Sequence, residues 1–297
     1  MSTRNRRRPR GTNVATPVRR PPAPGAAPTV TLEELAKVQQ ALESHALVEL
    51  RLVLKRLAAE RVNDAWEAPD RRTRMRLARE ALQYDAECVD ARHMVAEADC
   101  EDAEDLIDEL REIAAIGARQ LGRKFIAEHR GHLWEALEAR PYLRVRYALM
   151  HACADEGRTR EAIGEAQDLL ALDGQDHLGV RYRLLGLFLE EGSAEKARRF
   201  FRRWGRERTA TFAWGLVLQL WLSEAGHELE RALRRARRIN RHAEAYLAGV
   251  RRTPKAKPDF VQPGAPDEAV ACAQEIGRAW AAHPGTRAWL RKAAAPR

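Results

Sequence analysis

Three stretches share one pattern: Asp155-Glu156-Gly157-Arg158-Thr159-Arg160-Glu161-Ala162, Glu190-Glu191-Gly192-Ser193-Ala194-Glu195-Lys196-Ala197 and Glu224-Ala225-Gly226-His227-Glu228-Leu229-Glu230-Arg231-Ala232. In each, a glycine interrupts an apolar-periodic run and a small alanine follows. Gly157, Gly192 and Gly226 are separated by 35 and 34 residues, and Ala162, Ala197 and Ala232 by 35 and 35. The glycine lets the chain reverse between two helices, and the alanine lets them approach closely. A fixed period with two helices per unit predicts a stacked array of helical hairpins.

A period of about 34 residues in that form is the signature of tetratricopeptide repeats. The fold class expected is therefore all-α: a right-handed tetratricopeptide-like helical solenoid of about five helix pairs. Upstream, apolar spacing predicts helices over 72–84, 89–98 and 103–121, a longer connection over 122–131, and a helix over 132–139. Pro141 opens the next helix, where its missing N–H costs little. The last unit ends near His242. Thr253 to Pro266 holds four prolines and reads as extended. Asp267 is expected to cap a helix over 268–282, with a short one from Thr286, and these would cover the exposed end of the stack.

At the other end, residues 1–28 carry six prolines, seven arginines (Arg4, Arg6, Arg7, Arg8, Arg10, Arg19, Arg20) and no acid. They cannot bury enough surface to offset chain entropy, so disorder is expected there. Thr31 and Glu34 form a capping-box pattern ahead of an apolar run through Leu35, Val38, Leu42, Leu50, Val53, Leu54 and Leu57. The domain reading is 1–29 disordered tail, 30–62 N-terminal helix, 63–250 helical repeats, and 251–297 extended segment with C-terminal capping helices.

The formal charge of +9 is mostly tail: removing its +7 leaves +2 over residues 29–297. Arginine outnumbers lysine 45 to 7, which a GC-rich genome would explain. Cys88, Cys100, Cys153 and Cys272 are far apart and form no CxxC pair, so buried free thiols are expected. The longest uncharged apolar stretch, Thr209 to Ser223, is too short to span a bilayer. No apolar region follows Arg6-Arg7-Arg8, so a cytoplasmic protein without a membrane partner is expected.

Several segments carry a resemblance. Gly131-His132-Leu133-Trp134, Arg140-Pro141-Tyr142-Leu143-Arg144, Asp176-His177-Leu178-Gly179-Val180-Arg181-Tyr182, Pro258-Asp259-Phe260 and Asp267-Glu268-Ala269-Val270 resemble bacterial tetratricopeptide-like proteins related to the suppression-of-tumorigenicity family. The similarity covers roughly 70–290 and excludes the N-terminal tail. Such proteins usually have an Asn-Pro-Asn-Asp-Asn-like turn where this chain has Asp173-Gly174-Gln175-Asp176-His177, so His177 replaces an asparagine. The resemblance implies a repeat fold and protein–protein interaction, and no enzymatic activity.

In this architecture the first helix of each pair lines a groove. Arg144, Tyr147 and His151 share one helical face, and Arg181 and Tyr182 lie in the next such helix. Arginines with aromatics suit an acidic protein or peptide partner through bidentate bonds and stacking. The alternative is that Tyr147 and Tyr182 pack between helices and the arginines pair with nearby carboxylates. The tryptophans Trp134, Trp204, Trp214, Trp221, Trp280 and Trp289 read as packing, with Trp66 undecided. His129 and His132 lack further ligands at usable spacing, so no metal or cofactor is expected.

Seven carboxylates between Asp99 and Glu109 read as a solvated helix start. Arginines over 198–208 and 231–241 form a basic ridge which, with the tail, offers nucleic acid as a second partner class. The primary expectation is a non-enzymatic scaffold that binds a protein or peptide. A nucleic-acid-associated protein is the alternative.

Overall fold

The computed structural model describes residues 31–43, 47–258 and 260–294. The arginine–proline segment lies outside them. Among the described residues there are fifteen α-helices and no strand. The chain divides into two compact units, residues 1–54 and 55–297, and the boundary falls within one helix.

In the first unit, α1 (Leu32–Glu43) starts at the expected capping box. The Thr31 N–H donates to Glu34 Oε2 at 2.6 Å, and the Glu34 N–H donates to Thr31 Oγ1 at 3.2 Å. Of the apolar face expected to be buried, Leu57 is covered and Val38, Leu50, Val53 and Leu54 are half-buried, while Leu35 is exposed; Leu32, Val48 and Leu52, which are not on that face, are exposed too. Periodicity names the face that would be covered and supplies nothing to cover it.

The second unit holds the remainder of α2 (Leu47–Trp66), α3 (Arg71–Tyr84) and α4 (Val89–Asp99), joined by a small-residue core of Ala58, Val62, Ala65, Leu77, Ala78, Ala81, Ala91 and Met94. Asp70 caps α3, accepting from the Thr73 N–H at 2.9 Å. Asp102 caps α5 (Ala103–Leu121), accepting from the Asp105 N–H at 2.8 Å. These caps satisfy donors that the first turn leaves open.

The connection expected over 122–131 contains α6 (Arg123–Glu128), and the helix expected over 132–139 is two 3-10 turns, Leu133–Glu135 and Leu137–Ala139. These are held from outside. The Gly131 N–H donates to the Leu172 carbonyl at 3.0 Å and the Gly174 N–H to the Gly131 carbonyl at 2.8 Å. Tertiary anchoring of this kind overrides the local periodic pattern.

Three hairpins follow: α7 (Arg140–Asp155) with α8 (Thr159–Leu172), α9 (Val180–Glu190) with α10 (Ala194–Arg203), and α11 (Ala210–Leu222) with α12 (Gly226–Ile239). Gly157 and Gly192, each at φ 72°, end their helices in the left-handed conformation. The next N–H reaches back five residues, Arg158 to the Cys153 carbonyl at 2.8 Å and Ser193 to Phe188 at 2.9 Å. This is the glycine-terminated cap that satisfies the last carbonyls.

The third hairpin departs from the sequence register. Its left-handed residue is Glu224, at φ 52°, with the Ala225 N–H donating to the Leu220 carbonyl at 3.0 Å, while Gly226 already belongs to α12. Counted from the turn, Leu229 has the place of Ala162 and Ala197, but in the core it is Ala232 that is buried as they are. The cap bonds are made by backbone, so a non-glycine residue can serve at a cost of about 1 kcal/mol.

After α13 (Ala243–Leu247) the chain runs without regular structure to α14 (Pro266–Ala282) and ends its described part with α15 (Thr286–Ala294). Pro266 opens α14. Asp267, expected as its cap, instead accepts from the Gln262 N–H at 3.0 Å and the Glu268 N–H at 2.9 Å. Where sequence suggested a cover for the end of the stack, α14 packs along α9, α11 and α13. A Cβ at Gly186 of α9 would overlap the Glu275 carbonyl oxygen of α14, and Trp214 and Trp280, both fully buried, meet edge to face at 6.4 Å. No helix among the described residues is long and apolar enough to cross a membrane.

Candidate functional site

The five residues singled out on the first helices fall in three different settings. Arg144 of α7 donates from Nε to Asp90 Oδ1 of α4 at 2.9 Å, with its guanidinium 5.8 Å from the Trp66 ring centre. Asp90 is buried, so this pair neutralises a carboxylate that could not stand alone. Tyr147 and His151, one and two turns on, meet edge to face at 4.5 Å. Arg181 bonds Asp176 Oδ2 at 2.7 Å and Glu207 Oε1 at 2.9 Å, and stacks at 4.4 Å on Tyr182 and 5.2 Å on Trp204. Both arginines have their charge committed within the fold, and the structure does not gather the five into one open surface.

The Tyr147–His151 setting is roofed by the chain itself. Lys257, in the irregular segment before α14, places its ammonium 5.8 Å from the Tyr147 ring centre. Gln274 of α14 holds that segment by donating to the Pro254 and Ala256 carbonyls at 3.0 and 2.9 Å. Arg183 of α9, 3% exposed, donates to the Glu275 carbonyl at 3.4 Å. His283 Nε2 meets the Leu189 carbonyl at 2.6 Å, and Arg278 reaches Glu190 at 3.3 Å. Burial, with the nearby Lys257 and Arg183 cations, pushes His151 down to about 3. Burial also raises Tyr147, and raises Glu275 against the pull of Arg183 and Lys257. His151 is thus held neutral and half-buried, with its Nε2 buried.

Three segments, 131–134, 140–144 and 176–182, form one structural node. Asp176, buried and at φ 59°, accepts from the Val180 N–H at 2.6 Å and the Arg181 N–H at 3.1 Å, which starts α9. His177 stacks on Trp134 at 5.7 Å, and its N–H donates to Asp173 Oδ2 at 2.7 Å. Arg140 donates from Nε to the Trp134 carbonyl at 3.0 Å and lies over that ring. His177, though exposed, thus packs its ring on Trp134 and ties the turn to Asp173.

The large opening lies at the other end of α7. A cleft of about 870 Å³ is walled by α2, the α3–α4 turn, the end of α5, α6 and the start of α7. Val62, Val89, Leu121, Phe125 and Tyr142 give it an apolar lining, while Lys55, Asn63, Gln120 and Glu138 supply polar groups. Leu137, on the lining, is 67% exposed. Arg140 and Arg144 also line it. Sequence reasoning picked out Arg144 alone of these. Most of the others are brought together from α2, α5, α6 and a 3-10 turn, and neither the connection expected over 122–131 nor the helix expected over 132–139 signals that these segments wall a cleft.

The remaining candidates resolve as packing or as ion pairs. Trp214 and Trp280 are core, and the exposed Trp66 lies by Arg144. His129 and His132 have ring centres 5.8 Å apart, and His129 Nδ1 lies 2.9 Å from the Phe125 carbonyl. The acidic run is engaged by arginines: Asp99 with Arg79 at 2.7 Å, Glu109 with Arg92 at 2.9 Å, and Glu104 with Arg158. All four thiols are free, and burial raises each one, Cys88 to about 11. Set against known proteins, the chain matches no family model and no curated protein.

Proposed function

We propose that this chain is a non-enzymatic helical-repeat scaffold of the tetratricopeptide type, which receives a protein or peptide segment in the cleft at the Arg140–Arg144 end of α7. The observation that carries this reading is the contrast in cover. The chain's own α14 occupies the flank of α9 and α11, whereas the cleft stays open over an apolar lining. The recurring turn of the first two hairpins, 35 residues apart, supports the repeat assignment.

The chemistry of the partner follows from which charges are spent. Arg144 and Arg181 are already paired with Asp90, Asp176 and Glu207. A carboxylate-rich peptide would have to displace those partners. Apolar anchors flanked by a few polar groups fit the lining better, as in helix-in-groove recognition. Affinity would then come from desolvating a handful of buried side chains.

The test is selection of displayed peptides on the full chain, followed by titration against Leu137→Asp and Lys55→Glu. Both changes are at solvent-facing positions of the cleft, so the fold should persist by circular dichroism. Selected peptides are expected to carry apolar anchors and to bind Leu137→Asp at least tenfold more weakly. Equal affinity for the wild type and both variants would place binding elsewhere and overturn the cleft.

A further inference from the structure

The charge of the described chain is divided unevenly. Residues 194–242, which hold α10, α11 and α12, carry thirteen Lys and Arg against five Asp and Glu, a net of +8. Residues 29–297 as a whole carry only +2, so the rest of that span is at −6. The structure shows how much of this basicity is neutralised in place. Arg198 and Arg199 share Glu195, Arg234 pairs with Glu230, and Arg237 pairs with Glu244. Arg202, Arg203, Arg206, Arg231, Arg235 and Arg238 are exposed, and no ion pair engages them among the described residues. On α12, Arg231, Arg235 and Arg238 follow one another at spacings of four and three, a single stripe.

Between the two basic helices lies a small pocket of about 170 Å³, formed by the end of α10, α11 and α12. Phe201, Trp204, Phe212, Leu216 and Ile239 line it, with Arg235 beside them. The Trp204 indole N–H is buried and has no acceptor among the described residues. A buried donor without a partner is costly to leave unmet, so an acceptor supplied from outside would be favoured there.

We propose that the α10–α12 face binds single-stranded nucleic acid, with the unpaired arginines on successive phosphates and a base edge entering the aromatic pocket at Trp204. Repeated guanidinium charge along two helices matches a chain of evenly spaced phosphates, which release counterions on binding. A slot of aromatic and aliphatic side chains that includes Trp204, with Arg235 and the Arg181-paired Glu207 also on its lining, matches the flat ring and polar edge of a base. A lipid surface fits less well: none of the large exposed apolar side chains lies within 194–242, where an interfacial helix would need anchors. This site is separate from the cleft on α7 and stands or falls independently of it.

The experiment uses the full chain and a fluorescent oligothymidylate of about 20 nucleotides, titrated between about 50 and 200 mM salt. The wild type is compared with Arg231→Gln/Arg235→Gln/Arg238→Gln, with Arg202→Gln/Arg206→Gln, and with Trp204→Phe. The triple variant should bind at least tenfold more weakly, with the log–log salt slope smaller by about 2, near 0.7 for each phosphate no longer neutralised. The double variant, at the end of α10 and in the turn that follows it, should move both readouts the same way by less. Trp204→Phe keeps an aromatic ring and removes the N–H; it should weaken binding about threefold with the slope unchanged. Unchanged affinity and slope in both arginine variants would overturn the proposal and leave the N-terminal arginines as the binding element. So would a polyglutamate peptide or phosphatidylserine vesicles that bind as tightly as the oligonucleotide and displace it fully.

Discussion

The two ends of α7 carry similar side chains and meet opposite fates. At the first end, Arg140 and Arg144 face an open cleft with an apolar lining. Further along the same helix, Tyr147 and His151 lie under Lys257, beside Arg183 and Glu275, with α14 packed across the neighbouring α9. The difference is made by an element remote in sequence. A helix face becomes a binding surface or a core according to what the rest of the chain lays over it, and the residue types alone do not choose between these.

The largest expected effect breaks the closed end. Gly186→Ala sets a Cβ against the Glu275 carbonyl, and backbone cannot step aside as a flexible side chain can. The variant should lose about 3 kcal/mol in urea unfolding. Gly164→Ala in α8 meets nothing within 4 Å and should gain about 0.5–1 kcal/mol. Equal effects at the two glycines would mean that α14 is not seated on α9.

At the open end, Arg144→Ala would leave the buried Asp90 carboxylate without its cation. It should cost about 2 kcal/mol by the same method, below the range for fully buried pairs because Arg144 is partly exposed. Asp90→Asn/Arg144→Ala should recover most of that loss. A smaller, pH-linked effect returns to the closed end. His151 is held neutral when folded, whereas the unfolded chain takes up a proton below about 6.5. Its contribution is therefore intact above pH 6.5 and is lost as pH falls toward 3. Between pH 7 and 5 the wild type should lose about 1–2 kcal/mol more than His151→Gln in thermal or urea unfolding.

The smallest effect sharpens the comparison between turns. Glu224→Gly removes a left-handed non-glycine residue and should stabilise by about 1 kcal/mol, whereas Gly157→Ala should destabilise by a similar amount.

Local chemistry was legible in the sequence. The Thr31–Glu34 capping box, the boundaries of α3 to α5 and the turns at Gly157 and Gly192 all depend on residues within a few positions of one another. Glu224 was not legible, because Gly226 two residues later offered a better glycine in nearly the right period, and backbone bonds set the turn regardless. The same limit applied to the candidate site. The spacing of Arg144, Tyr147 and His151 correctly put them on one face, but Asp90, Lys257 and α14, which determine what that face can do, are brought in by tertiary packing. Exposed Leu35 shows the converse, a periodic apolar position with nothing laid over it.

Native-state hydrogen exchange on the full chain tests the central claim most directly, by comparing the amides of α14 with those of α9. If α14 is an integral cover, the amides of Ala269–Ala282 should exchange only through the same global opening as Leu184–Leu189, with matching free energies and matching denaturant dependence. Exchange of α14 at a free energy several kcal/mol below that of α9 would mean that the helix leaves the α9–α11 flank on its own. The α9–α11 flank would then be an open surface, and the contrast between the two ends of α7 would fail.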